Sequence, residues 1–473
     1  MLFNSFQFLI FFIVVTTLYY VLPHRFRWLL LLISSCYFYM AFVPMYIFIL
    51  AFTIVVDYFA GIAIQGSPPR FRKGILLISL LANIGVLAVF KYYNFAIDNI
   101  SVLLGYIGLP AKIPYLSILL PIGLSFHTFQ AMSYTIEVYR GKQKAEKHFG
   151  IYALYVMFYP QLVAGPIERP QNILHQFYEK KVFSYANISN GLKLMLWGLF
   201  KKAVIADRLS IYVNTVYNHV GSKEFNSLSY ILATMLFSFQ IYCDFSGYSD
   251  MALGAAEIMG FKLMKNFNRP YFATSIRDFW SRWHISLSTW FRDYVYIPLG
   301  GNRVMFYRWV LNLLIVFLIS GLWHGANWTY VIWGGLHGLF MVINAMLDKR
   351  SGDKPVYSSI WLNLLKTIGI FAIVSFAWIF FRANSIADAL GVIRNIFIWK
   401  RGIFLGTIQS LIYSFFGLAI LLCAEIKNEY YPRAFSFSKS KYLGVRWAYY
   451  LALILIILEL GAFNGSQFIY FQF

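Results

Sequence analysis

Apolar runs of about 20 residues recur along the chain, separated by short polar or basic connections. Because a helix needs about 20 apolar residues to cross a bilayer, the pattern predicts an all-α protein with about eleven transmembrane helices. The clearest runs lie near 4–22, 28–43, 45–64, 74–93, 115–138, 228–246, 307–322, 328–347, 362–382, 406–424 and 446–463. Two further runs, near 149–164 and 191–210, are short or charged, which is typical of re-entrant or interfacial segments.

Basic residues in the connections predict the orientation of the first helices. They follow the first, third and fifth apolar runs, whereas the alternate connections carry almost none. These residues are Arg25, Arg27, Arg70, Arg72, Lys73, Arg140, Lys142, Lys144 and Lys147. Because positively charged loops stay on the cytoplasmic side, we expect the amino terminus to lie outside.

The composition excludes an ordinary soluble or disordered chain. Of 473 residues, 60% are hydrophobic and 12% are charged, against about 25% charged residues in soluble domains. The net charge is +21, and the basic residues lie between the apolar runs. This position favours anionic lipid over nucleic acid as their binding partner. No repeat or linker divides the chain, and the three cysteines predict neither disulfides nor a metal site. We therefore predict one membrane-embedded domain over 1–473.

Polar side chains inside apolar runs are the strongest candidates for function, because burying them in lipid costs several kcal/mol. In the fifth run, His127, Gln130, Tyr134 and Glu137 share one helix face. Such a face points into the bundle or into a wet cavity. We interpret it as a structural hydrogen-bond network, with a catalytic role as the alternative.

A second polar cluster follows Asp244. A helix that includes Gly247 would align that residue with Asp250, Gly254 and Glu257 on one face. The small residues permit close contact with another helix, whereas the acids need partners. Arginines of the following loop are the nearest candidates, and we favour a structural role for these pairs.

The stretch 262–308 combines eight basic residues and two acids with many aromatic rings. Cations alternate with rings in Arg277-Asp-Phe-Trp-Ser-Arg-Trp-His284, and a Pro-Leu-Gly-Gly sequence then interrupts any helix. This pattern is typical of an interfacial or re-entrant segment. Alternatively, a basic aromatic pocket of this kind could hold the phosphates and adenine of an acyl-CoA.

One histidine, His324, lies in an otherwise apolar run between Gly321 and Gly325. Glycines on both sides allow backbone or ligand to approach the imidazole closely. Because histidine titrates near neutrality, it suits proton transfer, but a satisfied core histidine explains the pattern equally well. The chain has no Walker A, Gly-x-Ser-x-Gly or His-Glu-x-x-His motif, so ATP-driven transport, serine hydrolysis and zinc proteolysis have no support.

Several motifs in order resemble the membrane-bound O-acyltransferase (MBOAT) family, and specifically its bacterial alginate O-acetylation branch. They are Gln161-Leu-Val-Ala-Gly-Pro-Ile-Glu-Arg-Pro170, Asp244-Phe-Ser-Gly-Tyr-Ser-Asp250-Met-Ala, Arg277-Asp-Phe-Trp-Ser-Arg-Trp-His284-Ile-Ser-Leu-Ser, Arg292-Asp-Tyr-Val-Tyr-Ile-Pro-Leu-Gly-Gly-Asn-Arg303, Trp323-His324-Gly and Phe468-Ile-Tyr-Phe-Gln-Phe473. The resemblance extends from end to end of the chain.

The resemblance implies a helical bundle around a central funnel or tunnel and an acyl transfer from a thioester to a hydroxyl. It assigns His324 as general base and His284 as the residue that orients or polarises the donor or acceptor. Residues expected to support these two or to bind the donor are Arg277, Asp278, Arg282, Trp283, Asp244, Asp250, Trp323 and Asn327. No bound cofactor or metal is implied, and acetyl-CoA or another acyl thioester is the expected co-substrate.

The branch also implies a location in the bacterial inner membrane and an exported polysaccharide, such as alginate, as the final acceptor. The immediate acceptor is either that polymer or an SGNH-type periplasmic or anchored transferase. Two alternatives remain: D-alanyl transfer to teichoic acid from a carrier-protein thioester, and a non-enzymatic transporter or channel. The absence of internal symmetry argues against the transporter.

Overall fold

The computed structural model describes residues 1–109, 113–117, 121, 123–163, 165–351, 359–463 and 468–469, and regular structure within them is entirely helical. Eight helices in these residues are long and apolar enough to cross a membrane. The chain is therefore a multi-pass membrane protein. It divides into two compact units, the first comprising Met1–Met195 with Ser249–Met264 and the second Leu196–Tyr248 with Lys265–Phe473. The assignment of the whole chain to one domain stays a prediction.

The first unit contains the helices that precede residue 195. They are α1 (Phe6–Val21), α2 (His24–Met40), α3 (Ile47–Gly66), α4 (Pro69–Leu87), α5 (Tyr93–Tyr106), α6 (Leu124–Tyr139), α7 (Phe149–Met157), α8 (Tyr159–Leu162), α9 (Pro170–Ile173) and most of α10 (Tyr185–Leu199). A π-helical turn at Ala88–Tyr92 joins α4 to α5, so the two form one long apolar helix over Pro69–Tyr106.

The second unit contains most of the later helices. They are α11 (Asp207–Tyr217), α12 (Ser227–Ile258, whose last residues belong to the first unit), α13 (Ile276–Arg282), α14 (Ile285–Phe291), α15 (Phe306–His324), α16 (Trp328–Ser351), α17 (Ile360–Arg382), α18 (Ile386–Phe397), α19 (Ile408–Tyr430) and α20 (Leu443–Leu460). Two π-helical turns, Phe200–Ala206 and Arg292–Tyr296, extend α10 and α14.

The predicted number of eleven spans is not confirmed. The helices at the first, second and fifth predicted positions have only 16, 17 and 16 residues. The fifth run was predicted from residue 115, but 118–120 and 122 lie outside the described residues, as do 164 and 470–473 of the family motifs. The run near 228–246 continues as a helix to Ile258, because its polar residues find partners inside the protein instead of ending the helix.

Three of the four residues on the polar face of α6 have hydrogen-bond partners inside the protein, as the structural interpretation predicts. The Tyr134 hydroxyl accepts the Glu146 N–H at 2.8 Å. Gln130 donates to the Tyr155 carbonyl at 2.5 Å, and Glu137 accepts from Gln171 at 2.7 Å and pairs with Arg140 at 3.2 Å. All but two of the sixteen α6 residues are buried. The polar residues therefore point to neighbouring helices of the protein and not to lipid.

A buried aspartate joins three helices of the first unit. Asp57 of α3 is fully buried and accepts hydrogen bonds from Ser79 Oγ at 2.6 Å and from Asn83 Nδ2 at 2.8 Å. Ser79 in turn contacts Thr135 of α6 at 3.1 Å. Because buried polar groups are costly when left without partners, this network fixes the register of α3, α4 and α6.

Glycines allow α10 and α12 to approach each other closely, as the spacing predicts. In the first unit, a Cβ atom on Gly254 would lie 2.5 Å from the carbonyl oxygen of Gly191. In the second unit, a Cβ atom on Gly247 would lie 2.7 Å from the carbonyl oxygen of Gly198. Both distances are too short for any side chain, so each glycine is required by the helix contact.

We expect Gly254→Ala to destabilise the protein by about 1–3 kcal/mol, because the new methyl group forces the two helix backbones apart. The measurement is thermal unfolding of the purified protein in detergent. Gly369→Ala on α17 is the control, since nothing lies within 4 Å of the Cβ position there. Equal unfolding temperatures for the two variants would show that the close contact is not required.

Candidate functional site

His324 is the last residue of α15, and only 3% of its surface is exposed. A tight connection then leads into α16, and glycines permit the two helices to touch. A Cβ atom on Gly321 would lie 2.2 Å from the Tyr330 carbonyl oxygen, and one on Gly325 would lie 2.1 Å from the Tyr330 ring. Tyr330 therefore packs directly against both glycines.

Aromatic rings surround the His324 imidazole. Its centroid lies 4.9 Å from that of Trp323, 5.0 Å from that of Trp333 and 5.5 Å from that of Phe381. All three pairs are close to perpendicular. The environment of the imidazole is therefore apolar on these three sides.

His284 lies between α13 and α14 and has no exposed surface. Its backbone is left-handed, with φ 41° and ψ 56°, a conformation in which histidine is commoner than most residues. The next residue, Ile285, donates its N–H to the Asn266 carbonyl at 2.9 Å, which holds this sharp turn. The imidazole centroid lies 4.6 Å from the Phe245 ring.

Trp323 brings the two histidines into one site. Its ring centroid lies 6.3 Å from that of His284 and 4.9 Å from that of His324. The two imidazoles can be no farther apart than the sum of these distances. Although 40 residues separate them in sequence, they therefore line the same interior region of the second unit.

Burial lowers the pKa of His284 from 6.5 to about 3. The residue lies outside the apolar helices that are long enough to span a membrane. Because its pKa lies well below neutrality, the imidazole is uncharged throughout the range from pH 5 to 8. A neutral ring can accept and donate one hydrogen bond each, which suits it to orient a substrate.

A cavity of about 620 Å³ opens beside α15 in the second unit. Most of its walls are apolar, and two arginines, Arg277 and Arg292, contribute the charge. Ser320 lies in its wall, one helical turn before His324. The volume falls within the range of about 300–1,000 Å³ that is usual for small-molecule sites.

The arginines of α13 have acidic partners. Arg277 pairs with Asp348 at 3.2 Å and is mostly exposed. Arg282 contacts Asp278 at 2.8 Å and Glu429 of α19 at 2.8 Å. Of these predicted donor-binding residues, only Arg277 lines the cavity, while Arg282 connects α13 to α19.

Asp244 belongs to a buried ion cluster. Lys202 contacts Asp244 at 2.7 Å and Asp207 at 2.7 Å, and the second Asp244 oxygen accepts the Ile469 N–H at 2.7 Å. Burial alone would lower the pKa of Lys202, but the carboxylates of Asp244 and Asp207 raise it above its usual value. Asp244 therefore fixes the backbone at Ile469, and its neighbour Phe245 contacts His284.

The other predicted site residues occupy different positions. Trp283 is buried and packs against Trp378 at 5.1 Å, so it supports the neighbouring His284. Asn327 accepts the Thr329 N–H at 3.0 Å at the start of α16. Asp250 lies six residues beyond Asp244 on α12, in the first unit.

Sequence reasoning did not identify Trp333, Phe381 or Lys202 as neighbours of these groups. The first two come from α16 and α17, and they contact His324 only through long-range packing. A signal was present for Lys202, because a lysine within an apolar segment needs an acidic partner. Two more buried aromatic groups, Trp378 and His337, lie beside Trp333.

The chain matches known proteins over most of its length. Residues 147–381 match the membrane-bound O-acyltransferase family. A probable alginate O-acetylase of Pseudomonas aeruginosa is 36% identical, covering 88% of this chain and 82% of its own. A peptidoglycan O-acetyltransferase of Helicobacter pylori is 36% identical, covering 77% and 72%. A teichoic acid D-alanyltransferase of Bacillus subtilis is 29% identical, covering 55% and 68%.

The chain therefore belongs to the membrane-bound O-acyltransferase family. It is an O-acyltransferase, and its co-substrate is an acyl donor. This membership favours the enzyme over the transporter or channel.

We expect His284→Asn to leave the pH dependence of acyl transfer unchanged between pH 5 and 8, because the imidazole is already neutral there. Asparagine also keeps hydrogen-bonding capacity, so the rate is expected to fall no more than about tenfold. The measurement is the acyl-transfer rate of both proteins across this pH range. A shift of the acidic limb in the variant would show that His284 titrates during the reaction.

Proposed function

We propose that this protein takes an acetyl group from a cytoplasmic thioester, acetyl-CoA, and passes it across the membrane for O-acetylation of an exported polysaccharide such as alginate. The observation that carries the proposal is the pair of buried histidines that both contact Trp323. The names of the relatives supply the acetyl group and the class of polymer.

In this proposal His324 is the general base. Its imidazole takes the proton of the attacking hydroxyl, whose oxygen forms a bond to the thioester carbonyl carbon. The bond from that carbon to sulfur then breaks, and the departing thiolate receives the proton from His324. General base catalysis of this kind contributes about 10²–10⁴-fold in rate. The aromatic enclosure supports this role because it keeps water, a competing nucleophile, away from the thioester.

His284 is the proposed orienting residue. It is neutral and buried, and its left-handed turn is held by the Asn266 carbonyl, so its ring has a defined position. A neutral imidazole at this point can donate a hydrogen bond to the thioester carbonyl oxygen or accept one from the hydroxyl. Trp323, which touches both histidines, keeps them at a constant separation.

The cavity beside α15 is the proposed entrance for the donor. Its apolar walls suit the thioester arm, and Arg277 and Arg292 suit phosphate groups. In the structure, Arg277 pairs with the carboxylate of Asp348. Donor binding would replace this carboxylate with a phosphate group as the partner of Arg277.

We place the protein in the bacterial inner membrane with its amino terminus outside, because the basic loops between the first helices belong on the cytoplasmic side. The donor then arrives from the cytoplasm and the acetyl group leaves on the opposite face. The immediate acceptor is either the polysaccharide or an SGNH-type periplasmic or anchored transferase.

D-alanyl transfer to teichoic acid is the second candidate. It rests on the relative from Bacillus subtilis, whose similarity is lower and covers less of this chain than that of the acetyltransferases. A gene for an acyl-carrier protein next to this one would favour D-alanyl transfer.

The test is the O-acetyl content of the secreted polysaccharide in a strain that lacks the gene. We expect the wild-type protein to restore acetylation and His324→Ala to reduce it at least about 100-fold, because the general base is lost. His219→Ala is the control, since that histidine is exposed and remote in sequence from both buried ones. All variants are compared at equal membrane levels.

Equal restoration by His324→Ala would exclude that histidine as the base. If the wild-type protein restores no acetyl groups, the polymer assignment is wrong. D-alanine esters on the cell wall are then the next quantity to measure.

A further inference from the structure

A third histidine, His337, is buried near the proposed site. It lies on α16, has no exposed surface, and neither ring nitrogen has a hydrogen-bond partner among the residues that the structure describes. The contacts that hold His337 are instead those of its ring with neighbouring aromatic side chains.

Rings enclose His337 on several sides. Its centroid lies 5.0 Å from that of Trp280, 5.0 Å from that of Trp333 and 6.3 Å from that of Trp378. Phe279 stacks on it with an interplanar angle of only 8°. All of these residues belong to the second unit. The enclosure leaves the imidazole little freedom to turn.

Trp333 lies between His337 and His324. Its centroid is 5.0 Å from each of the two imidazoles, and its other side stacks on Trp378 at 5.6 Å. Because Trp333 and His337 are four residues apart on α16, their side chains share one helix face. The position of the Trp333 indole against His324 therefore depends on His337 and Trp378.

The same histidine also touches the wall of the cavity. Trp280 and Phe317, which line the cavity beside α15, both contact the His337 ring, at 5.0 and 6.4 Å. A continuous series of rings thus leads from the proposed donor entrance through His337 and Trp333 to His324.

We propose that His337 is a positioning residue for acyl transfer: it holds the Trp333 indole against the imidazole of His324 and thereby fixes the orientation of the proposed base. The inference rests on the proposed function of His324. His337 acts through its volume and shape and does not itself exchange a proton with substrate.

The test measures kcat and KM for acetyl-CoA in inverted membrane vesicles that contain the polysaccharide-synthesis machinery. We expect His337→Ala to lower kcat per folded molecule by about 10–100-fold, because a misplaced catalytic group costs this much. KM for acetyl-CoA is expected to change less than about twofold, because ground-state binding is intact. His337→Phe keeps a ring of similar size and is expected to retain kcat within about threefold.

Phe225→Ala is the control for loss of packing. Phe225 is buried in the same unit, and its ring contacts are Tyr230 and Phe404, which lie near none of the three histidines in sequence. This variant is expected to lower the unfolding temperature as His337→Ala does, but to leave kcat per folded molecule unchanged.

An unchanged kcat in His337→Ala would overturn the proposal. A His337→Phe variant as slow as the alanine variant would also overturn it, because that result would mean that the reaction needs the ring nitrogens. His324→Ala is measured in parallel. If that variant keeps full activity, the proposed base itself is wrong. If it is inactive while His337→Ala is fully active, only the positioning role fails.

Discussion

The structure depends on keeping one imidazole buried at the end of an apolar helix. His324 achieves this because α15 and α16 approach each other through glycines, which brings Trp333 and the Tyr330 backbone close to the end of α15. A larger residue at Gly321 or Gly325 would separate the helices and open the imidazole to the surroundings. The chemistry proposed for His324 therefore depends on the close packing of this helical hairpin.

Pairing of buried polar groups limits the residues that remain for chemistry. Asp57 accepts hydrogen bonds from two neighbouring side chains, and Lys202 lies between two carboxylates. Glu429 accepts from Arg269 and Arg282. These groups have structural partners, whereas His337 in the second unit is surrounded by rings. Two kinds of buried polar residue can therefore be distinguished. Some hold helices together through polar partners, and others are enclosed by aromatic side chains beside the proposed base.

Local patterns in the sequence predicted the structural features that depend on residues close together in the chain. Apolar runs located α15, α16, α17 and α20 to within a few residues, and the glycines beside His324 indicated the tight packing. The apolar runs were misleading where a helix contains buried polar residues. The 32-residue helix α12 carries polar residues that hydropathy treats as an interruption, although the protein itself supplies their partners.

Contacts between segments distant along the chain could not be predicted from the sequence. The pairing of Asp244 with Lys202 and the ring contacts of Trp333 and Phe381 with His324 join segments that are distant along the chain. Motif resemblance identified both histidines but not that Trp323 touches each of them. Nor did it predict that Arg282 would pair with Glu429 instead of lining the cavity. Such arrangements follow from tertiary packing, which a single sequence does not specify residue by residue.

The most direct measurement is an experimental structure of the protein in lipid with a non-reactive acetyl-CoA analogue in which a methylene group replaces the thioester sulfur. If His324 is the base, the acyl carbonyl should lie within about 4–5 Å of its imidazole, leaving room for the attacking hydroxyl, and the arm should occupy the cavity beside α15. An acyl group bound far from both His284 and His324, with that cavity empty, would contradict acyl transfer at this site.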